Sequence, residues 1–219
     1  MALTDNLLGY WKLDETSGST LTDSTGTRNG TVNGSVTLNQ TGKLGKAVLI
    51  DASTEYISFS AITQLSGTYA FWIYPTSFAD DRLILSDGDG FYKRIFITTS
   101  GYIRVETNTN GQEFQWGSGQ MTVNNWYHVV LTREENGTGM KFYLNGTFIS
   151  NTSVGSPDSI TTSQIGCNGR SFYGLIDEVA IWSSVLEQAD VTALYNSGNG
   201  LTYPFMTGFD AKRFKFSTF

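Results

Sequence analysis

Cysteine is almost missing from this chain: Cys167 stands alone among 219 residues. No intrachain disulfide can form, which excludes a disulfide-stapled secreted module. Histidine is limited to His128, and no Gly-x-Ser-x-Gly segment occurs, so a nucleophile paired with a base has little to draw on. Charge is also sparse. Charged residues make up 16% of the chain, and Asp plus Glu (20) outnumber Lys plus Arg (14), a net charge of −6. That balance argues against electrostatic capture of DNA or RNA and suits neutral sugars or metal cations better. No apolar run approaches the ~20 residues of a membrane span, so no membrane insertion is expected. The opening stretch "MALTDNLLGYWKL" has neither the basic nor the apolar region of a signal peptide. Proline, with 3 copies, is scarce beside 24 glycines.

Short apolar and alternating runs fill the rest. "KAVLI" (46–50), "YISF" (56–59), "YAFWIY" (69–74), "RLILS" (82–86), "KRIFIT" (93–98), "YIRVET" (102–107), "WYHVVLTR" (126–133) and "MKFYLNG" (140–146) all read as strands, with "GYWKL" (9–13) before them. Turn signals separate them, among them 24–35 and the Asn-Gly pairs, where both turn residues need positive φ. Strands at this spacing without intervening helical periods predict an all-β protein of antiparallel sheets packed as a sandwich. One helix breaks the pattern in 186–200, where Val191, Leu194 and Tyr195 share a face and Gly198 is placed to end it.

The stretch "GLIDEVAIWSSVL" (174–186) poses a problem. It reads as a buried strand, yet Asp177 and Glu178 stand in its middle. Strict alternation sends the two acids to opposite faces and places Asp177 beside Val179 and Ile181. A carboxylate turned toward an apolar layer costs several kcal/mol unless donors or a cation meet it.

The order of segments is informative. "LLGYWKLDETSGSTLTDSTGTRNGTV" (7–32), "GKLGKAVLID" (42–51), "AFWIYP" (70–75), "NNWYHVVLTR" (124–133), "KFYLNG" (141–146) and "FYGLIDEVAIWSSVLEQADVTALYNSGNGL" (172–201) resemble the laminin-G-like, concanavalin A-like lectin/glucanase jelly-roll domains. The likeness runs over about 7–201, which divides the chain into a jelly-roll domain (1–201) and a C-terminal segment (202–219). It implies a jelly-roll β-sandwich with one short C-terminal helix. Glu187 stands where Ser or Thr is usual, so a weaker helix cap is expected.

The resemblance also implies a structural Ca²⁺ near the closing strand, with Asp177 as a ligand and Asp14, Glu15, Asp23 or Asn29 supplying further oxygens. For sugar binding, Tyr92, Tyr102, Trp116 and Tyr173 are the aromatic candidates, with Arg94, Arg170, Asn108 and Asn110 as polar neighbours. Against this stands the core-filling role that aromatics usually have in β sandwiches. No strand-borne Glu-x-Asp-x-x-Glu of the glucanase type occurs, so no enzymatic activity is expected. The last segment alternates Lys212, Arg213 and Lys215 with Phe209, Phe214, Phe216 and Phe219, a basic-aromatic strip suited to docking. These features lead to an expected non-catalytic adhesion protein of a virion surface: a phage fibre, tail or capsid-decoration component. It would bind host glycans and meet other virion subunits through its C-terminal strip. The alternatives are an adhesion module on a bacterial cell surface and, further off, a glycoside hydrolase or lyase.

Overall fold

The computed structural model describes residues 2–80, 82–88, 93–106, 113–115, 119–134, 139–153 and 159–206. In chain order the strands are β1 (Leu7–Trp11), β2 (Thr20–Leu21), β3 (Gly30–Asn33), β4 (Thr37–Thr41), β5 (Lys46–Ile50) and β6 (Tyr56–Gln64). Then come β7 (Gly67–Pro75), β8 (Arg82–Ser86), β9 (Arg94–Ile97), β10 (Ile103–Glu106) and β11 (Glu113–Gln115). The last are β12 (Tyr127–Arg133), β13 (Gly139–Leu144), β14 (Thr147–Ser153), β15 (Ile160–Gly166) and β16 (Gly174–Trp182), followed by the helix α1 (Gln188–Tyr195).

They form two eight-stranded antiparallel sheets. One runs β14-β13-β12-β7-β16-β5-β4, with β1 also on β16; the other runs β11-β10-β9-β8-β15-β6-β3-β2. Alternate residues of the first sheet, such as Phe71, Ile73, Val129, Leu131, Ile176 and Val48, face Ile57, Ile84, Ile95, Ile97, Val105 and Ile165 of the second in one continuous core. Each such side chain removed from water contributes about 1.5–3 kcal/mol. The expected all-β jelly-roll sandwich with one short helix is therefore the observed fold.

The runs at 46–50 and 82–86 coincide with β5 and β8. Residues 24–35, expected as a turn, contain β3, whose Val32 pairs with Ile57. At the β13–β14 turn, Asn145 (φ 50°) and Gly146 (φ 76°) both take positive φ, as the Asn-Gly signal requires.

The first sheet's outer face carries a second apolar layer: Tyr10, Ala70, Val130, Tyr143, Ala180 and Trp182. Over it lie Leu186, Val191 and Leu194 of the helical segment and then Phe205. Tyr203 and Phe205 thus belong to the packed unit. The Phe205 ring meets Tyr10 edge-on at 5.2 Å, and the Tyr203 N–H donates to the Tyr10 hydroxyl at 3.0 Å. The Trp182 indole N–H donates to the Leu3 carbonyl at 2.7 Å, tying the chain's first residues to the same layer. The start of α1 is held by the Asp190 carboxylate, which accepts the Glu187 N–H at 3.1 Å. Asp190 thus offsets the missing Ser or Thr.

The alternation assumed for 174–182 does not hold. Asp177 pairs with Trp72 and Ala180 with Ala70, so three residues of β16 span two of β7. The extra residue is Glu178, at φ 52°. This β-bulge resets the alternation. Asp177 lies opposite Trp72 on the outer face, while Val179 and Ile181 point into the core. Both acids therefore lie on the outer side, beneath its covering, and Asp177 does not share a face with Val179 and Ile181. The bulge also marks a fork: β16 pairs with β5 up to Ile176 and with β1 from Val179 onward.

Candidate functional site

At one end of the sandwich the β7–β8, β9–β10 and β15–β16 connections converge. Backbone bonds hold them in place. The Thr76 N–H donates to the Tyr173 carbonyl at 2.9 Å, and Leu83 exchanges bonds with Arg170 and Phe172, each at 2.9 Å. The Ser171 hydroxyl accepts the Cys167 N–H at 2.8 Å and bonds the Glu55 carbonyl, which fixes the turn before it. The β9–β10 turn is closed by Thr98 and Tyr102, whose backbone groups bond at 2.9 Å, leaving Thr99 exposed at its tip.

These connections enclose a cleft of about 400 Å³ lined by Asp80, Arg82, Thr99, Gly169 and Arg170. Arg82 is its fixed point. Only 8% exposed, it lays its guanidinium 3.9 Å from the centre of the Tyr173 ring. Its Nη2 donates to the exposed Asp80 carboxylate at 2.9 Å. Its Nε–H is buried and has no acceptor among the described residues. The stack and the ion pair hold a side chain that would otherwise sample many rotamers, at a gain of about 1 kcal/mol for the stack. Arg170 is half-buried, and no carboxylate among the described residues pairs with it. Among the described lining residues two guanidiniums face one carboxylate, a net charge of +1 on a chain of −6. At Gly169 a Cβ would meet nothing within 4 Å, so the cleft is open there.

The sugar-binding candidates fall in different places. Tyr173 lies beside the cleft, with one ring face occupied by Arg82. Arg170 lines it. Tyr102 is half-buried at the β9–β10 turn near Thr99. Arg94 is elsewhere, buried on β9 with its Nε 2.6 Å from Glu106 Oε2 and its guanidinium over Phe96. Tyr92, Trp116, Asn108 and Asn110 lie outside the described residues, as does 207–219 of the C-terminal strip. Arg82, Asp80 and Thr99 were not anticipated. Arg82 opens an apolar strand run, and nothing in its spacing connects it to Arg170.

The Ca²⁺ candidates separate into two pairs, with Glu15 apart, its Oε1 accepting the Thr22 N–H at 2.7 Å. Asp23 is 1% exposed, and its carboxylate is reached by four N–H groups (Tyr10, Thr25, Thr27 and Arg28) and two hydroxyls (Thr25 and Thr27) at 2.6–3.3 Å. The Asn29 amide oxygen accepts the Asp23 N–H at 3.0 Å. Protein donors therefore surround this pair, and it does not fit a cation. Asp177 and Asp14 differ. Asp177 Oδ2 accepts the Leu44 N–H at 2.9 Å, but the buried Oδ1 has no partner among the described residues. Burial pushes the Asp177 carboxyl up to about 8; backbone donors at Leu44 and Lys43 oppose this and the nearby Asp14 charge adds to it. Asp14 accepts the Lys46 N–H at 2.6 Å. Glu178 is pushed up to about 8 by burial, opposed by Thr202. Among the described residues no three His, Cys, Asp or Glu side chains come together as a metal cluster.

His128 packs in the outer layer, its ring 4.9 Å from Trp72, and burial pulls its pKa down to about 3. The imidazole stays neutral, a packing role that fits its place against both Trp72 and Tyr195, which also meet each other.

The sequence model of the concanavalin A-like lectin/glucanases superfamily matches residues 51–192, and the chain belongs to that family. A comparison with curated protein sequences found no match. Among solved structures, the chain is similar to the botulinum neurotoxin serotype D binding domain, at 17% identity and TM-score 0.66, covering 88% of this chain and 52% of that one. It is similar to domain 4 of AbnA, an extracellular arabinanase from Geobacillus stearothermophilus solved with arabinotriose: 19% identity, TM-score 0.61, 85% of this chain and 97% of that one. A third is Trypanosoma rangeli sialidase in complex with sialic acid, at 14% identity and TM-score 0.65, covering 90% of this chain and 34% of that one. At these identities the likeness establishes the fold, and the chain spans about half of the toxin domain and a third of the sialidase.

Proposed function

We propose that this protein is a non-catalytic carbohydrate-binding adhesion protein whose ligand site is the cleft between Arg82 and Arg170. The observation that carries the reading is the pre-set Arg82: stacked on Tyr173, paired with Asp80, and opening onto a polar cleft at the loop end of a lectin-type sandwich. Preformed clefts with a few oriented polar groups are where small ligands bind. The family hosts lectins, and a structural neighbour was solved with arabinotriose.

A non-catalytic role is supported by Asp80 being the single carboxylate among the described lining residues, since glycoside hydrolysis uses two flanking acids. The finer reading is a component of a virion surface, a phage fibre, tail or capsid-decoration protein. It would present the cleft to host glycans and meet other virion subunits through the Phe-rich basic strip after Met206. Alternation of Lys212, Arg213 and Lys215 with phenylalanines supports that docking role. The corresponding alternative is an adhesion module on a bacterial cell surface. A net charge of −6 supports a reading without nucleic acid, and no described helix is long and apolar enough to cross a membrane.

Calcium belongs to this proposal in a narrower form than the sequence suggested. Asp177 and Asp14 would hold it, because the buried Asp177 Oδ1 lacks a donor among the described residues and a second carboxylate lies close by. Backbone carbonyls and water would complete the six to eight oxygens the ion requires. Bound there, it would neutralise the fork where β1 and β5 leave β16. Screening the protein against a polysaccharide panel, with and without a chelator, tests the whole reading. Binding to a defined glycan is expected; a folded protein that binds none would refute it.

A further inference from the structure

Resting on the reading of the cleft as a carbohydrate site, we propose that it selects acidic glycans, those whose sugar units carry a carboxylate, and holds that carboxylate between Arg82 and Arg170. The usual route to a neutral sugar ring is an exposed aromatic face on which the apolar side of the ring stacks. Here Tyr173, the aromatic ring stacked on a cleft-lining side chain among the described residues, has one face covered by the Arg82 guanidinium at 3.9 Å. The described lining is polar: two arginines, Asp80, Thr99 and Gly169. Charge and hydrogen bonds are what this lining offers.

Guanidinium suits a carboxylate because its planar fork presents paired N–H donors at the spacing of the two oxygens. Arg82 carries five such donors. The described structure engages one of them, through Nη2 to Asp80, and leaves the buried Nε–H without an acceptor. In a residue only 8% exposed, a buried Nε–H without an acceptor is costly until an anion or water meets it. Arg170, across the cleft and unpaired among the described residues, supplies a second cation. The open space at Gly169 leaves room for a ring, and the Thr99 hydroxyl can serve its hydroxyls.

The surrounding charge narrows the class. At physiological ionic strength, charge is felt over about 8 Å. The +1 of the described lining residues therefore attracts a single carboxylate, while the protein's overall −6 repels densely charged polyanions such as nucleic acids. Glycans with isolated carboxylates, either uronic acids or nine-carbon acidic sugars, fit both conditions.

Calorimetric titration of the full chain with matched oligosaccharides tests this. One arm uses a uronate oligomer, the second an oligosaccharide ending in a nine-carbon acidic sugar, and each is repeated after its carboxyl groups are reduced to alcohols. Binding in at least one arm, weakened about tenfold or more by carboxyl reduction and again by Arg170→Ala, is the expected result. Arg170 is half-exposed, so its replacement leaves the fold intact, and circular dichroism of each variant verifies this. Equal binding to native and reduced oligosaccharides, or to neutral glycans alone, overturns the selectivity and leaves the carbohydrate reading standing. Preference for a sulfated over a carboxylated oligomer overturns the carboxylate assignment. A folded protein that binds no glycan overturns both.

Discussion

Replacing Asp23 by alanine should be among the most damaging changes outside the apolar core, although Asp23 lies in a surface turn. Its carboxylate gathers four backbone N–H groups and two hydroxyls from Tyr10 and residues 25–28. Each bond to a charged acceptor contributes about 1.5–3 kcal/mol net. Simple multiplication overstates the loss, because water can reach the donors of Thr25 and Thr27 once the carboxylate is gone. The Tyr10 N–H bond is buried and has no such replacement. The same turn also supplies the Arg28 carbonyl that accepts the Trp11 indole N–H at 2.9 Å. Counting the buried donor fully and the others at a fraction gives about 3–4 kcal/mol. For a chain of this size that lowers the melting temperature by about 10 °C. Asp23→Asn keeps the shape but turns an amide N–H₂ toward one set of donors, at a cost of about 2 kcal/mol. Urea titration and calorimetry of the three proteins give the comparison. An Asp23→Ala loss below about 1 kcal/mol would refute the assignment of Asp23 as organiser of this turn.

Further predictions concern the metal, the outer layer and pH. Calcium should raise the melting temperature of the chelated protein; Asp23→Asn should retain that response and Asp177→Asn lose it. The opposite pattern would move the ion to the Asp23–Asn29 pair. Phe205→Ala should cost about 3 kcal/mol, because its ring closes the layer over Tyr10 and Trp182; a loss near zero by denaturant unfolding would detach that segment from the fold. His128, held down at about 3 against an ordinary 6.5, contributes stability that is fully present above about pH 6.5. That stability is lost as pH falls toward 3, by up to about 1.4 kcal/mol per pH unit. In His128→Phe this component should vanish from the pH dependence of the urea midpoint, and identical slopes for the two proteins below pH 6.5 would contradict it.

What could be read in advance follows from which physical signal each feature leaves. Strands such as β5 and β8 were bounded correctly because "KAVLI" and "RLILS" are apolar runs flanked by turn residues. β3 and β4 were not, since Gly30–Asn33 and Thr37–Thr41 are rich in Thr, Asn and Gln and expose much of their length. Polar strands of this kind look like loops until a partner strand is known. The bulge at Glu178 left no mark in "IDEVAIW", because alternation assumes one residue per pairing step. That single insertion moved Asp177 away from the core and onto the fork. The cleft was the least legible part. Tyr173 and Arg170 were picked out as candidates near turns, but Asp80, Arg82 and Thr99 meet Arg170 only through three separate connections. Chain order carries no signal for that meeting.

A crystal structure of the protein soaked with the tightest-binding acidic oligosaccharide tests the central claim most directly. The account predicts sugar density in the cleft, with a carboxylate within hydrogen-bond distance of the Arg82 and Arg170 guanidiniums. Well-ordered sugar on any other surface, with the cleft holding only solvent, would contradict it.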